Sequence, residues 1–269
     1  MNDKLKNLLV RTASGAVLAA VILGAVLWSH ESFALLLALL TAGGLAEFYA
    51  LARKCGVTPQ PVLGTLIGLT LLFVALFPYP KVCLCALLAL LLLVPAAFVL
   101  ALWRRSPHPI ADIGATLMGV FYVAAPFSLA AFCSEYIPGK WPIVGYILII
   151  WANDVFAYLV GLAIGRHPLF PRLSPKKSWE GFVGGVAGAV GVGLLVAWLT
   201  QGSCAIWAGA ALVASVTGVA GDLVESMFKR SAGVKDSGNL IPGHGGVLDR
   251  FDAMLVSIPF VLAYLLFVL

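Results

Sequence analysis

The chain has 269 residues, 61% of them hydrophobic and only 11% charged, with a formal net charge of +5. A soluble domain carries about 25% charged residues and needs polar groups to cover its surface, so a water-soluble globule is excluded. Long apolar runs recur along the whole length, and a run of about 20 such residues reads as a membrane-spanning helix.

In chain order the spans are expected at roughly 9–28, 33–52, 61–77, 82–103, 113–132, 142–165, 181–200, 205–228 and 252–269. The fold class is thus all-α, a polytopic integral membrane protein with about nine transmembrane helices. With a cytoplasmic N-terminus, only Lys81 and Lys140 of the 17 basic residues fall in outside loops, and Leu269 ends outside. This asymmetry follows the positive-inside rule, so the net charge is a topology signal and nucleic acid is not an expected partner. Lys4, Lys6 and Arg11 precede the first apolar run as in a signal peptide, but no small-x-small site stands near Trp28 and Ser29. A retained first span is therefore expected.

The five cysteines, Cys55, Cys83, Cys85, Cys133 and Cys204, have no zinc-site spacing and read as small packing residues. No internal repeat supports an inverted-repeat transporter. The whole chain reads as one membrane-embedded domain, with 1–132 mainly scaffold helices and 142–269 the catalytic helices and loops.

Charged groups inside spans are costly, so each is a functional candidate. Span six carries Asn153 and Asp154, with Tyr158 one turn on from Asp154. The following inside loop holds Ser174, Lys176, Lys177 and Trp179. Two readings stay open there: lysines and an interfacial aromatic that anchor topology, or Ser174, Lys176 and Lys177 as phosphate contacts. His167 reads as an interfacial loop residue.

Span eight ends with Asp222, Glu225 and Ser226 on one side of its helix, and span nine opens with Asp249 and Asp252 at i, i+3 spacing. Clustered hard oxygen ligands suit Mg²⁺; the competing reading pairs these acids with Lys229, Arg230 or Arg250. The loop from Lys229 to Leu248 is long, and a long irregular connection is usually functional or disordered. Its five glycines let backbone N–H groups approach an anion. Acids at both ends with cations and glycines between them are what a metal-bound polyphosphate needs.

The stretch from Ser226 to Asp252, with Lys235-Asp-Ser-Gly-Asn-Leu-Ile-Pro-Gly-His-Gly-Gly-Val-Leu-Asp-Arg-Phe-Asp252 at its heart, resembles the phosphatidate cytidylyltransferase signature. Asn153-Asp154 and Ser174-Pro-Lys-Lys-Ser-Trp-Glu-Gly181 resemble that family's other motifs, in the expected order.

The resemblance implies conversion of CTP and phosphatidate to CDP-diacylglycerol and pyrophosphate with Mg²⁺, and with a second cation as an open question. The expected partners are CTP, phosphatidate and membrane lipid, with a homodimer also open. On this reading Asp222, Asp249 and Asp252 are metal ligands or their immediate neighbours, and Asp154 holds a second cation or orients a lysine. Lys176, Lys177, Lys229, Arg230, Lys235 and Arg250 contact phosphate. His244, Gly245 and Gly246 shape the nucleotide loop. The expected location is the cell inner membrane, with the active site on the cytoplasmic side. The rival readings are a CTP-dependent lipid-alcohol kinase, an ether-lipid cytidylyltransferase, and an ion-coupled transporter using Asp154 and Asp222.

Overall fold

The computed structural model describes residues 3–137, 139, 141–240 and 245–268. Lys140, the stretch 241–244 with His244, Leu269, and the side chains of Lys4, Lys6 and Arg11 lie outside this description. The helices are α1 (Asp3–Trp28), α2 (His30–Lys54), α3 (Pro61–Leu76), α4 (Pro80–Arg104), α5 (Pro109–Gly119), α6 (Ala125–Tyr136), α7 (Trp141–Ile164), α8 (Trp179–Thr200), α9 (Cys204–Ser231) and α10 (Leu248–Val268). A π-helical turn, Val120–Ala124, joins α5 to α6. Strands β1 (Pro168–Phe170) and β2 (Ser174–Ser178) form a short antiparallel hairpin before α8.

Among the described residues, seven helices are long and apolar enough to cross a membrane: α2, α4, the α5–α6 rod, α7, α8, α9 and α10. The other two expected spans correspond to shorter apolar helices, Thr12–Trp28 and Pro61–Leu76. At ~1.5 Å per residue, the 16 residues of α3 fall short of a hydrocarbon core about 30 Å thick. Apolar side chains cover the outside of the long helices: Leu92 is 73% exposed, Leu102 76% and Phe267 90%. Such surfaces suit lipid and not water. This is a multi-pass membrane protein.

The chain divides into two compact units. One comprises Met1–Glu135 with Ser231–Phe251, so the glycine-rich loop belongs with the N-terminal helices. Its core includes Leu37, Leu45, Tyr49, Leu72, Val123 and Phe127. Several of its buried polar groups are paired, as a low-dielectric interior favours, while Thr41 Oγ1 and Gln60 Oε1 find no hydrogen-bond partner among the described residues. Tyr49 Oη donates to the Thr116 carbonyl at 2.9 Å, and Asp112 accepts from the Thr58 N–H and hydroxyl at 2.7 and 2.6 Å. Phe251, in the first turn of α10, meets Phe127 edge to face, with ring centroids 5.7 Å apart.

The second unit comprises Tyr136–Arg230 with Asp252–Leu269. Its tightest contact is between α7 and α8. Gly181, Gly184, Gly185 and Gly188 recur at i, i+3, i+4 and i+7, on one face of α8. A Cβ at Gly184 would lie 2.5 Å from Val160, and one at Gly188 would collide with Phe156. Small residues at such spacing let membrane helices approach closely. Gly188→Leu is expected to force α8 off α7. Overpacking costs about 1–3 kcal/mol, so a lower thermal midpoint in detergent should accompany the substitution, and an unchanged midpoint would contradict this packing. Elsewhere in the unit, Tyr146 on α7 and Ser257 on α10 share a 2.6 Å hydrogen bond.

Candidate active site

The hairpin presents the two lysines unequally. Successive residues of a strand point to opposite faces, and in β2 Lys176 is exposed while Lys177 is partly covered. Lys177 Nζ forms an ion pair with Asp222 Oδ2 on α9. The hairpin is anchored at the start of α8. Ser178 caps that helix by accepting the Gly181 N–H at 3.1 Å, as an N-cap serine does. Glu180 Oε2 accepts the N–H groups of Arg166 and His167 at 3.1 and 3.2 Å, and Oε1 lies 2.5 Å from His167 Nδ1. His167, expected as a plain loop residue, is therefore the partner that orients Glu180. Ser174 is half-buried where β2 begins, in register with Phe170.

Around Asp222 the second unit gathers its acids. Ser226, one turn on, donates to Asp222 Oδ1 at 3.3 Å. Asp252 on α10 lies within electrostatic range of Asp222, Glu225 and Asp154. Gly221 makes this approach possible, because a Cβ there would strike the Asp252 carbonyl oxygen. Glu225 is fully buried and pairs with Lys229 at i, i+4 spacing. Lys229, expected at phosphate, is thus placed against a carboxylate, while Arg230 is exposed. Asn153 is buried against Gly185, and its Oδ1 has no hydrogen-bond partner among the described residues, whereas Asp154 is exposed.

Asp249 belongs to the other unit and organises the loop there. Its Oδ2 accepts from the Ser237 N–H, the Ser237 hydroxyl and the Gly246 N–H, each at 2.8 Å. Gly245 adopts φ +81°, a left-handed conformation natural to glycine, and a Cβ there would sit 2.5 Å from Asp249 Oδ2. Glu47, on α2, takes the next donors: Val247 N–H to Oε1 at 2.9 Å and Leu248 N–H to Oε2 at 3.0 Å. The amides of Gly246, Val247 and Leu248 therefore donate to the chain's own carboxylates. Lys235 and Arg250 are exposed. The structure thus brings Lys177, Asp222, Glu225 and Asp252 together in one unit and ties Asp249 into the loop in the other.

Glu47 and Ser237 are the residues that sequence reading missed. The signal was present in Glu47, an acid within an apolar helix.

The Cytidylyltransferase family model matches residues 9–268 of the chain. The phosphatidate cytidylyltransferase of Staphylococcus aureus (strain COL) is 42% identical over 150 residues, which cover 55% of this chain and 57% of that one. That of Staphylococcus haemolyticus (strain JCSC1435) is 39% identical over a stretch of the same length. The phosphatidate cytidylyltransferase of Rickettsia bellii (strain RML369-C) is 35% identical over 185 residues, 63% of this chain and 76% of that one. The match thus spans little more than half the length of the staphylococcal relatives.

Proposed function

Since the chain belongs to the Cytidylyltransferase family, we propose that it joins CTP to phosphatidate, forming CDP-diacylglycerol and pyrophosphate. The observation that carries this reading is the group formed by Asp222, Glu225, Asp252 and Asp154 with Lys177 and Lys229. Four carboxylates with two paired lysines leave a surplus of hard, negative oxygen donors. Such a set has the chemistry to hold a divalent cation, and Mg²⁺ commonly takes one or two carboxylates plus substrate phosphates.

Among the described residues no group of three or more His, Cys, Asp or Glu is already assembled as a metal site. A site completed by substrate phosphate does not require one. Asp222 and Asp252, with Asp154 as a further ligand or orienting group, would hold Mg²⁺, which supplies neutralising charge to the phosphates.

The lipid phosphate monoester is already largely ionised near neutral pH, by analogy with phosphorylated side chains, so no strong general base is needed. One of its oxygens attacks the α-phosphorus of CTP. A P–O bond forms there, the bond to the β-phosphate bridging oxygen breaks, and pyrophosphate leaves with that electron pair. The obstacle is bringing anions together, and positioned positive charge lowers it. Lys177, held in place by Asp222, is the central cation of this scheme, with Ser174, Lys176 and Arg230 as further phosphate contacts, while Lys229 neutralises the buried Glu225. Within the other unit, Lys235 and Arg250 are proposed phosphate contacts on the loop whose shape Asp249, Gly245 and Gly246 set. The active site faces the cytoplasm, where CTP is found, from the inner membrane of the cell.

Purified protein in vesicles containing phosphatidate should form CDP-diacylglycerol when given CTP and Mg²⁺, and diacylglycerol should not replace phosphatidate. Release of CDP with phosphorylation of a lipid alcohol would instead identify a kinase and overturn the proposal.

A further inference from the structure

We propose that Glu47 on α2 is a positioning residue for the glycine-rich loop, acting through Ser237 and the first amides of α10. The kinetic part of this inference rests on the proposed reaction, while its structural part stands on the hydrogen bonds alone.

The Glu47 carboxylate accepts from two separate parts of the loop, its middle and its end. Ser237 Oγ lies 3.0 Å from Glu47 Oε2, and the Val247 and Leu248 amides follow at 2.9 and 3.0 Å. Ser237 also faces Asp249 Oδ2 at 2.8 Å, so one hydroxyl stands between two acids. An ordinary helix cap satisfies the orphan amides of a single helix. Here one carboxylate, 190 residues away in sequence from Ser237 and 201 from Leu248, joins the middle of the loop to its end.

Two loop glycines fit this tether. A Cβ at Gly238 would lie 2.5 Å from Glu47 Oε1, and one at Gly246 would collide with Glu47 Oε2. Their lack of a side chain therefore leaves room for the carboxylate. An acid within an apolar helix is costly to keep, and two backbone amides, a Ser237 hydroxyl shared with Asp249 and the positive end of α10 offset that cost. Holding 237 and 246–248 together fixes the geometry of the loop on which Lys235, Asp249 and Arg250 stand.

Amide hydrogen exchange and steady-state kinetics on the purified full chain in detergent micelles test this. In Glu47→Gln, which keeps shape but puts an amide among donors, the segment around 237 and 246–248 should lose protection while the α7–α8 pair keeps it. KM for CTP should rise and kcat fall, together lowering kcat/KM about 100-fold, the scale of loss for a catalytic group misplaced by about 1 Å. KM for phosphatidate should stay nearly constant. Glu47→Asp should recover part of the loss. If Glu47→Gln does not insert, Ser237→Ala removes the bridging hydroxyl alone and should shift both readouts in the same direction.

Asp112→Asn, which breaks the Thr58 tie in the same unit, should lower the thermal midpoint and leave both KM values unchanged. Unchanged protection in Glu47→Gln overturns the tether. Lost protection with unchanged kinetics overturns the positioning role. Absence of cytidylyl transfer in the wild type would refute the proposed function and leave the exchange measurement to decide the tether on its own.

Discussion

Asp222→Asn is expected to lower turnover by roughly 100-fold or more, the scale seen when a metal-site carboxylate or a transition-state charge partner is lost. Asp222 has a charge that the rest of the molecule arranges. Gly221 lets the α10 backbone come against α9, Lys177 pairs with one carboxylate oxygen and Ser226 donates to the other. The Lys177 and Asp222 side chains remain 27% and 36% exposed, so the pair contributes only about 0–1 kcal/mol to stability. A large loss of rate with a small change in thermal midpoint is therefore the expected pattern. Residual activity should need more Mg²⁺, and chelation should silence the wild type until Mg²⁺ is restored. A rate near wild type with an unchanged Mg²⁺ titration would remove Asp222 from the chemistry.

Lys177→Gln should cost a comparable factor, about 100-fold or more if the ammonium neutralises a transferring phosphate, while Lys176→Gln should cost much less. The two neighbours differ because β2 turns one towards Asp222 and leaves the other exposed. Lys229 gives a third pattern. Its partner Glu225 is only 1% exposed and Lys229 itself 12%, and breaking a buried pair typically costs about 3–5 kcal/mol. Lys229→Gln should therefore lower the thermal midpoint clearly, as neither substitution at 176 or 177 does. Equal kinetic losses at Lys176 and Lys177 would mean that the hairpin contributes charge to membrane topology and not to the site.

Much of the architecture was legible because lipid imposes it. Long apolar runs announce helices wherever water cannot solvate the backbone, and α2, α4 and α7–α10 lie where the runs put them. The runs at 9–28 and 61–77 were less decisive, since a packed apolar helix and a spanning one look alike in composition.

The hairpin at 168–178 was not legible. Pro-Lys-Lys-Ser carries no alternating apolar pattern, and the strand depends on pairing across the hairpin and on Glu180 holding the turn into α8. The inequality of Lys176 and Lys177 was hidden for the same reason. In the site, the acids of α9 and α10 stood out because charge inside a span is rare, whereas the role of Asp249 depends on donors at Ser237 and Gly246. Glu47 lay furthest from view. Its partners are about 190 to 200 residues away, and local sequence records nothing of a contact that only the folded unit creates.

The most direct measurement follows two phosphorus labels through one turnover. Vesicles holding the purified protein and phosphatidate would receive CTP labelled at the α-phosphate in one reaction and at the γ-phosphate in another. Attack at the α-phosphorus requires the α label to appear in the lipid and the γ label in pyrophosphate, in equal amounts and only with Mg²⁺ present. The γ label in the lipid, or either label released without any lipid product, would contradict cytidylyl transfer by this chain.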